Sequence, residues 1–210
     1  SEFGNISFSK SGKRLFFATA PILPLKDTSL PEFERVNVDV WHYNDDDLQS
    51  AQLKNLENDL KKNYLARYDF ETKKVVQLGN ENFERFDKSS EGDGATFYTT
   101  SDAGKRVAKQ WQGFTLRDVY AVNPIDGKPT LIRKNLKGNI SSSYSGNYLL
   151  MYDERLKQYQ SYNTFTQKIN KVAADIQFPL YDEENDVPDD PNAYGIVKWM
   201  EGDKHVLIYD

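Results

Sequence analysis

The chain has 210 residues, enough for one large domain or two small ones with a real buried core. Its 27 basic and 32 acidic residues leave a net charge of −5, and no lysine–arginine cluster is longer than a pair, so the basic stripe that a nucleic-acid partner needs is missing. No apolar run approaches the roughly 20 residues of a membrane-spanning helix, and a cysteine-free sequence has no disulfide scaffold, thiolate metal site or cysteine nucleophile. Thirteen Tyr, twelve Phe and three Trp favour extended structure, where flat side chains pack on a pleated surface.

Ser1-Glu2-Phe3-Gly4 (1–4) reads as a cloning remnant joined to an internal segment and carries no fold signal. Ile6 to Lys13 alternates and ends in a Ser-Gly turn; Arg14 to Ala20 follows as an apolar, aromatic strand stopped by Pro21 and Pro24. Pro21 to Glu34 reads as a loop. Alternation returns from Val36 to Tyr43, with Val36, Val38 and Val40 on one face of an expected strand.

The period then changes. Leu53, Leu56, Leu60 and Tyr64 fall three and four apart, the stripe of an amphipathic helix expected over 47–63 and expected to cover a sheet edge. Asp46 is placed to cap it with Gln49 three residues on, and Glu57 and Lys61 make a favourable pair on its surface.

From Leu65 onward one plan recurs: an aromatic or apolar strand, a polar turn, a lysine, then another apolar strand. Asp69, Asn123 and Asn163 open these turns, 54 and 40 residues apart, and Lys74, Lys128 and Lys168 follow them. Asp or Asn in that place bonds to backbone two residues ahead and starts a tight hairpin. A second hairpin precedes each: Ser9-Lys10-Ser11-Gly12 resembles Ser143-Tyr144-Ser145-Gly146, and Glu201-Gly202-Asp203 supplies an acidic-Gly version.

Two hairpins per unit at this period predict an all-β chain, a partial β-propeller of about three four-stranded antiparallel blades plus the start of a fourth, with one helical insertion. The expected boundaries within 5–210 are a blade over 5–79, blades over 93–136 and 140–176, and the start of the next over 193–210. An ordinary all-β domain with fortuitous repeats is the competing reading.

Val38-Asp39-Val40-Trp41-His42-Tyr43-Asn44-Asp45, followed by Leu48-Gln49-Ser50 and Gln52, resembles a stretch in the propeller of bacterial prolyl oligopeptidase and dipeptidyl peptidase IV relatives. Tyr194-Gly195, Trp199 and Val206-Leu207-Ile208-Tyr209-Asp210 look like the start of a blade there, and the acidic stretch Asp182 to Pro188 resembles the loop before it. The resemblance runs from Asn5 to the end. It implies a periplasmic or secreted serine peptidase in which a propeller caps an α/β-hydrolase domain, restricts access to short peptides and sometimes anchors their amino terminus. Peptide substrate and the remaining blades and hydrolase domain of the same chain are the partners it implies. This sequence stops short of both the full propeller and the hydrolase.

No G-x-S-x-G nucleophile turn is present, and the only two histidines, His42 and His205, sit inside expected strand patterns. No catalytic residue is therefore assigned, substrate-contacting residues stay unassigned, and neither metal nor cofactor is expected. There is no His-Glu-x-x-His helix or EF-hand spacing; Asp182, Glu183, Asp186, Asp189 and Asp190 offer oxygens at no recognised calcium spacing. Both this stretch and Asn44 to Asp47 read as solvated acidic loops. Gly92-Asp93-Gly94 leads into a strand and not a helix, so it is no phosphate cradle. Glu183-Glu184 is an adjacent pair of the kind that holds a substrate ammonium, but it lacks the preceding aromatics and is not given that role. Trp41, Trp111 and Trp199 read as core or inter-blade packing. The expected function is a non-catalytic gating segment of a peptidase; the alternative is a stand-alone propeller that binds a protein or glycan. Open strand edges make self-association an expectation of either.

Overall fold

The computed structural model describes residues 4–22, 29–36 and 38–209. The first three residues of the leading tetrapeptide, part of the Pro21–Glu34 loop and Asp210 lie outside that range.

Three four-stranded antiparallel sheets and one hairpin follow one another along the chain. The first holds β1 (Ser7–Phe8), β2 (Arg14–Thr19), β3 (Tyr64–Asp69) and β4 (Lys74–Gln77). The second holds β5 (Phe86–Lys88), β6 (Phe97–Ser101), β7 (Arg117–Val122) and β8 (Pro129–Leu136), and the third β9 (Ile140–Ser142), β10 (Tyr148–Asp153), β11 (Gln158–Asn163) and β12 (Lys168–Lys171). The hairpin pairs β13 (Ile196–Trp199) with β14 (Val206–Ile208). Each sheet is a simple meander in chain order. This is a partial β-propeller.

The stacking follows from alternation along the second strands. Phe97 joins Phe16, Leu78 and Val122 in the cluster between the first and second sheets. Its neighbour Tyr98 points the other way, into the cluster with Val119, Leu136, Leu149, Met151 and Tyr162 between the second and third. In β10 the odd residues Leu149 and Met151 serve that cluster, while Leu150 and Tyr152 pack toward Ile196, Trp199, Val206 and Ile208 of the hairpin. Successive residues point to opposite faces of a strand, and here both faces are covered. Each such side chain gives about 1.5–3 kcal/mol on burial.

The two repeated turn types form as the residues dictate. Asp69 Oδ1 accepts from the Thr72 N–H at 2.8 Å, Asn123 Oδ1 from the Ile125 N–H at 2.8 Å, and Asn163 Oδ1 from the Phe165 N–H at 2.9 Å. In the serine turns, Ser9 Oγ accepts from the Arg14 N–H at 3.2 Å and Ser143 Oγ from the Tyr148 N–H at 3.1 Å. Gly146 has φ of 77°, a left-handed conformation that favours glycine. These turns also join the sheets. Asp93 of the second sheet accepts from the Ser11 N–H and hydroxyl at 2.7 Å each, and Asp203 of the hairpin accepts from the Ser143 hydroxyl at 3.0 Å and from the Ser145 hydroxyl and N–H. First strands also touch: Lys88 donates to Ser7 Oγ at 3.5 Å and the Ser142 N–H to Asp87 at 3.3 Å. The first-strand edges therefore converge, as they do around a propeller channel.

Several expectations are corrected. The second sheet starts at Phe86, upstream of 93, because the three residues of β5 are too few to show a period. No strand forms over the described part of Val36 to Tyr43; Val36, Val38 and Val40 are 86, 73 and 68% exposed on an insertion that pairs with no strand. The helix, α1 (Gln49–Leu60), is shorter than 47–63, its N-cap is Leu48 with no side-chain cap bond, and Lys61 lies beyond it as the C-cap. Asp46 does not cap α1, because its carboxylate is taken by backbone N–H groups of the second sheet. Tyr64 belongs to β3. Leu53, Leu56 and Leu60 are exposed, so the stripe covers no sheet edge. His42 lies in exposed coil against Tyr43, and His205 lies exposed between β13 and β14, so neither is a strand residue.

Candidate functional site

A four-stranded meander sorts its connections. Turns after the first and third strands lie at one end of the stack; loops after the second strand and links to the next sheet lie at the other. The turn end carries a polar contact across three sheets: Lys10 Nζ donates to Glu91 at 3.1 Å and to Tyr144 Oη at 2.9 Å, and Tyr144 donates to Glu91 at 3.0 Å. The Tyr144 and Glu91 hydrogen bonds hold the Lys10 ammonium above its ordinary range, while Lys10 and Tyr144 hold the Glu91 carboxyl below its own. Ser90 and Glu91 both have left-handed φ, near 50°, and the Ser90 N–H donates to Tyr144 O at 2.6 Å.

The loop end carries the insertion between β2 and β3, with α1, and the loop between β6 and β7, with the short α2 (Lys109–Gln112). Asp46 docks one on the other, accepting from the Gly104 N–H at 2.7 Å and the Arg106 N–H at 2.9 Å. Arg106 Nε donates to Asp102 at 2.8 Å and its Nη1 reaches Asp47 at 3.4 Å. The run read as a solvated acidic loop is therefore the clamp of the insertion.

Beneath this clamp lies a cleft of about 280 Å³ lined by Asn82, Glu84, Arg85, Thr100, Asp102, Arg106 and Arg117. A second hollow of about 290 Å³, lined by Pro21, Asp59, Leu60, Lys62, Tyr64 and Glu81, shares Arg106 with it. Lys62 bridges Asp59 at 3.1 Å and Glu84 at 3.3 Å. Burial pushes the Lys62 ammonium down, but those two carboxylates outweigh it and hold it above its ordinary value. The result is a polar groove between α1 and the second sheet. Its guanidinium, hydroxyl and amide donors suit binding of an oxyanion; it contains no serine, histidine or cysteine to act as nucleophile or base. The sequence reading missed it, since Arg85 and Arg117 stand alone in the chain and meet only through sheet pairing.

The residues singled out from sequence are dispersed. Trp41 and Trp111 are 73 and 70% exposed, against the packing expected of them, because each sits on a loop-end insertion and not on a strand. Trp199 does pack as expected, stacked on Tyr148 at 6.3 Å, with its Nε1 buried and unpartnered among the described residues. Asp189 and Asp190 are not simply solvated: both bind the buried Lys137 ammonium. Glu183 and Glu184 are exposed, and among the described residues only their backbone N–H groups are tied, to Tyr194 Oη and Asp182. No group of three or more His, Asp or Glu able to hold a metal ion occurs among the described residues.

No protein-family profile and no curated protein sequence matches the chain. Among solved structures it is similar to TolB from Acinetobacter baumannii, at 15% identity and a TM-score of 0.33, over 79% of this chain and 31% of that one. It is also similar to a chain from a structural and mechanistic analysis of two prolyl endopeptidases, at 14% identity and a TM-score of 0.37, over 80% of this chain and 21% of that one. The chain thus spans about a third or less of these two structures. Likeness at this level decides no activity; the strand order and the three inter-sheet clusters are what make this chain a β-propeller segment.

Proposed function

We propose that the chain is the non-catalytic propeller segment of a periplasmic or secreted serine peptidase, gating or positioning peptides for an α/β-hydrolase domain. One observation carries the reading: the stack is open at both ends. Ile6, Leu15, Phe17, Tyr68 and Val75 line an uncovered apolar hollow of about 480 Å³ on the first sheet, and Val197 and Leu207 stand exposed on the final hairpin. Blades bury their faces on neighbours, so such faces suit the packing of further blades. A ring completed in this way encloses a channel that admits extended peptides and excludes folded proteins. The Val38 to Asp45 run that carries the family resemblance lies on the exposed insertion, where its described residues serve no core packing.

The second reading, a propeller that binds a protein partner, draws on α1, whose Leu53, Leu56 and Leu60 stand in solvent. A fluorophosphonate probe of active serine hydrolases separates the two. Polypeptide captured from its source cells with an antibody to this segment is expected to carry the label. An unlabelled polypeptide, in an extract where other hydrolases react, would replace the peptidase with the binding propeller.

A further inference from the structure

The sequence has eight arginines, and six of them are engaged. Arg14 donates to the Gly92 and Gly94 carbonyls, Arg35 to Leu30 O, and Arg155 to Asn135 O. Arg67 pairs with Asp69, Arg106 with Asp102, and Arg133 with Asp153 and Gln160. Arg85 and Arg117 alone make no side-chain hydrogen bond or ion pair among the described residues, and both line the same loop-end cleft.

Sheet pairing brings them there. Phe86 lies opposite Thr99, which puts Arg85 across from Thr100 on one side of β6. Arg117 opens β7 on the other side, where Ser101 lies opposite Asp118 and Arg117 therefore falls across from Asp102. The two acids in the lining are already satisfied, Glu84 by Lys62 and Asp102 by Arg106. Two guanidiniums therefore stand uncompensated in a concave space, with the Asn82 amide and Thr100 hydroxyl as further donors. This occurs in a chain of net charge −5, where chance gives a cation an acidic neighbour.

We propose that this cleft is a carboxylate-binding site, Arg85 and Arg117 gripping the two oxygens of a carboxylate borne by a peptide. Guanidinium is planar and forked, and matches a carboxylate with two parallel N–H···O bonds. The site does not depend on the peptidase reading, since a binding propeller could hold the same group. A peptide can offer it as its carboxyl terminus or as an acidic side chain.

The test follows backbone amide shifts near Asn82, Arg85 and Thr100 during titration of the 210-residue chain. Four probes are used: acetyl-trialanine with a free carboxyl terminus, acetyl-Ala-Asp-Ala amide, acetyl-trialanine amide, and inorganic phosphate. Saturable shifts with the first or the second, absent with the third, are expected, and the arm that responds identifies the source of the carboxylate. Both arginines are exposed, so Arg85→Gln and Arg117→Gln leave the core intact. Each is expected to weaken binding by about tenfold and the pair to abolish it, while Arg35→Gln, on the insertion and outside the cleft, changes nothing. The assignment fails if neither carboxylate shifts these amides or if the neutral amide binds as well. It fails equally if binding survives the double substitution, or if phosphate saturates the site at lower concentration than both carboxylates.

Discussion

Lys137, in the link between β8 and β9, has a side chain only 3% exposed, and its ammonium contacts Asp189, Asp190 at 2.8 Å and Glu154 at 3.8 Å. It also lies 4.2 Å from the centre of the Phe114 ring. One lysine thus ties the link before β13 to the link before β9. Burial pushes the ammonium down, but its bonds to Asp189 and Asp190 outweigh that and raise it; the same Lys137 bond holds the Asp189 carboxyl below its ordinary value. A depressed carboxyl contributes stability above its unfolded value, near 4, and loses it as pH falls through the folded value. A raised ammonium contributes below about 10.5 and loses it as pH rises through its folded value. Glu154 works in the opposite sense: burial raises its carboxyl, so acid first favours the folded form at that one group. Lys137→Ala is expected to cost about 1–2 kcal/mol at pH 7, less than for a fully buried pair because the aspartates can rehydrate. Urea midpoints at pH 7 and pH 3 check this: the gap between wild type and variant should narrow at pH 3, and an unchanged gap would assign the loss to packing against Phe114. None of this was legible locally. The stretch from Asp182 to Asp190 has the composition of a solvated loop, and its lysine lies some fifty residues earlier.

At the scale of the element, the repeated turns were legible and the insertion was not. Asp69, Asn123, Asn163, Ser9 and Ser143 bond backbone within five residues, so their signal is local and survives in the sequence. The Val36 to Tyr43 alternation satisfies the period of a strand but lies on the insertion between β2 and β3, which pair directly with each other and leave no place for it between them. Period identifies a face; only a neighbouring surface buries it. The α1 stripe makes the same point, with Leu56 at 52% exposure against Leu149 at 0%. Leu56→Glu is therefore expected to shift unfolding free energy by no more than about 0.5 kcal/mol, and Leu149→Ala to cost about 2–5 kcal/mol. Chemical denaturation of the two variants distinguishes them. A loss above about 2 kcal/mol for Leu56→Glu would mean that α1 packs on the sheets in solution.

For the whole molecule, the blade plan was readable because four strands recur within each unit, while the loop-end cleft depends on which loops the stacking brings together. The same stacking leaves apolar surface where it stops. Ile6, just before β1, and Phe8 within it are 72 and 62% exposed, Val75 is 61% exposed on β4, and at the far end Val197, Leu207 and Tyr209 are 49, 45 and 55% exposed. The first sheet also presents β1 and β4 as unpaired edges. Contiguous apolar surface beside free strand edges invites a second copy, which supplies the missing cover. The 210-residue chain is therefore expected to sediment as a concentration-dependent mixture of monomer and dimer, and Ile6→Lys with Val75→Lys to return it to monomer, since charged groups on an open sheet resist pairing. Stability of the monomer should hardly move, because both side chains already face water. Association that survives these two substitutions would place the contact elsewhere, on the hairpin end or on α1; a single monomer at every concentration would mean that the open sheet is sufficiently protected by its own twist and flanking charges.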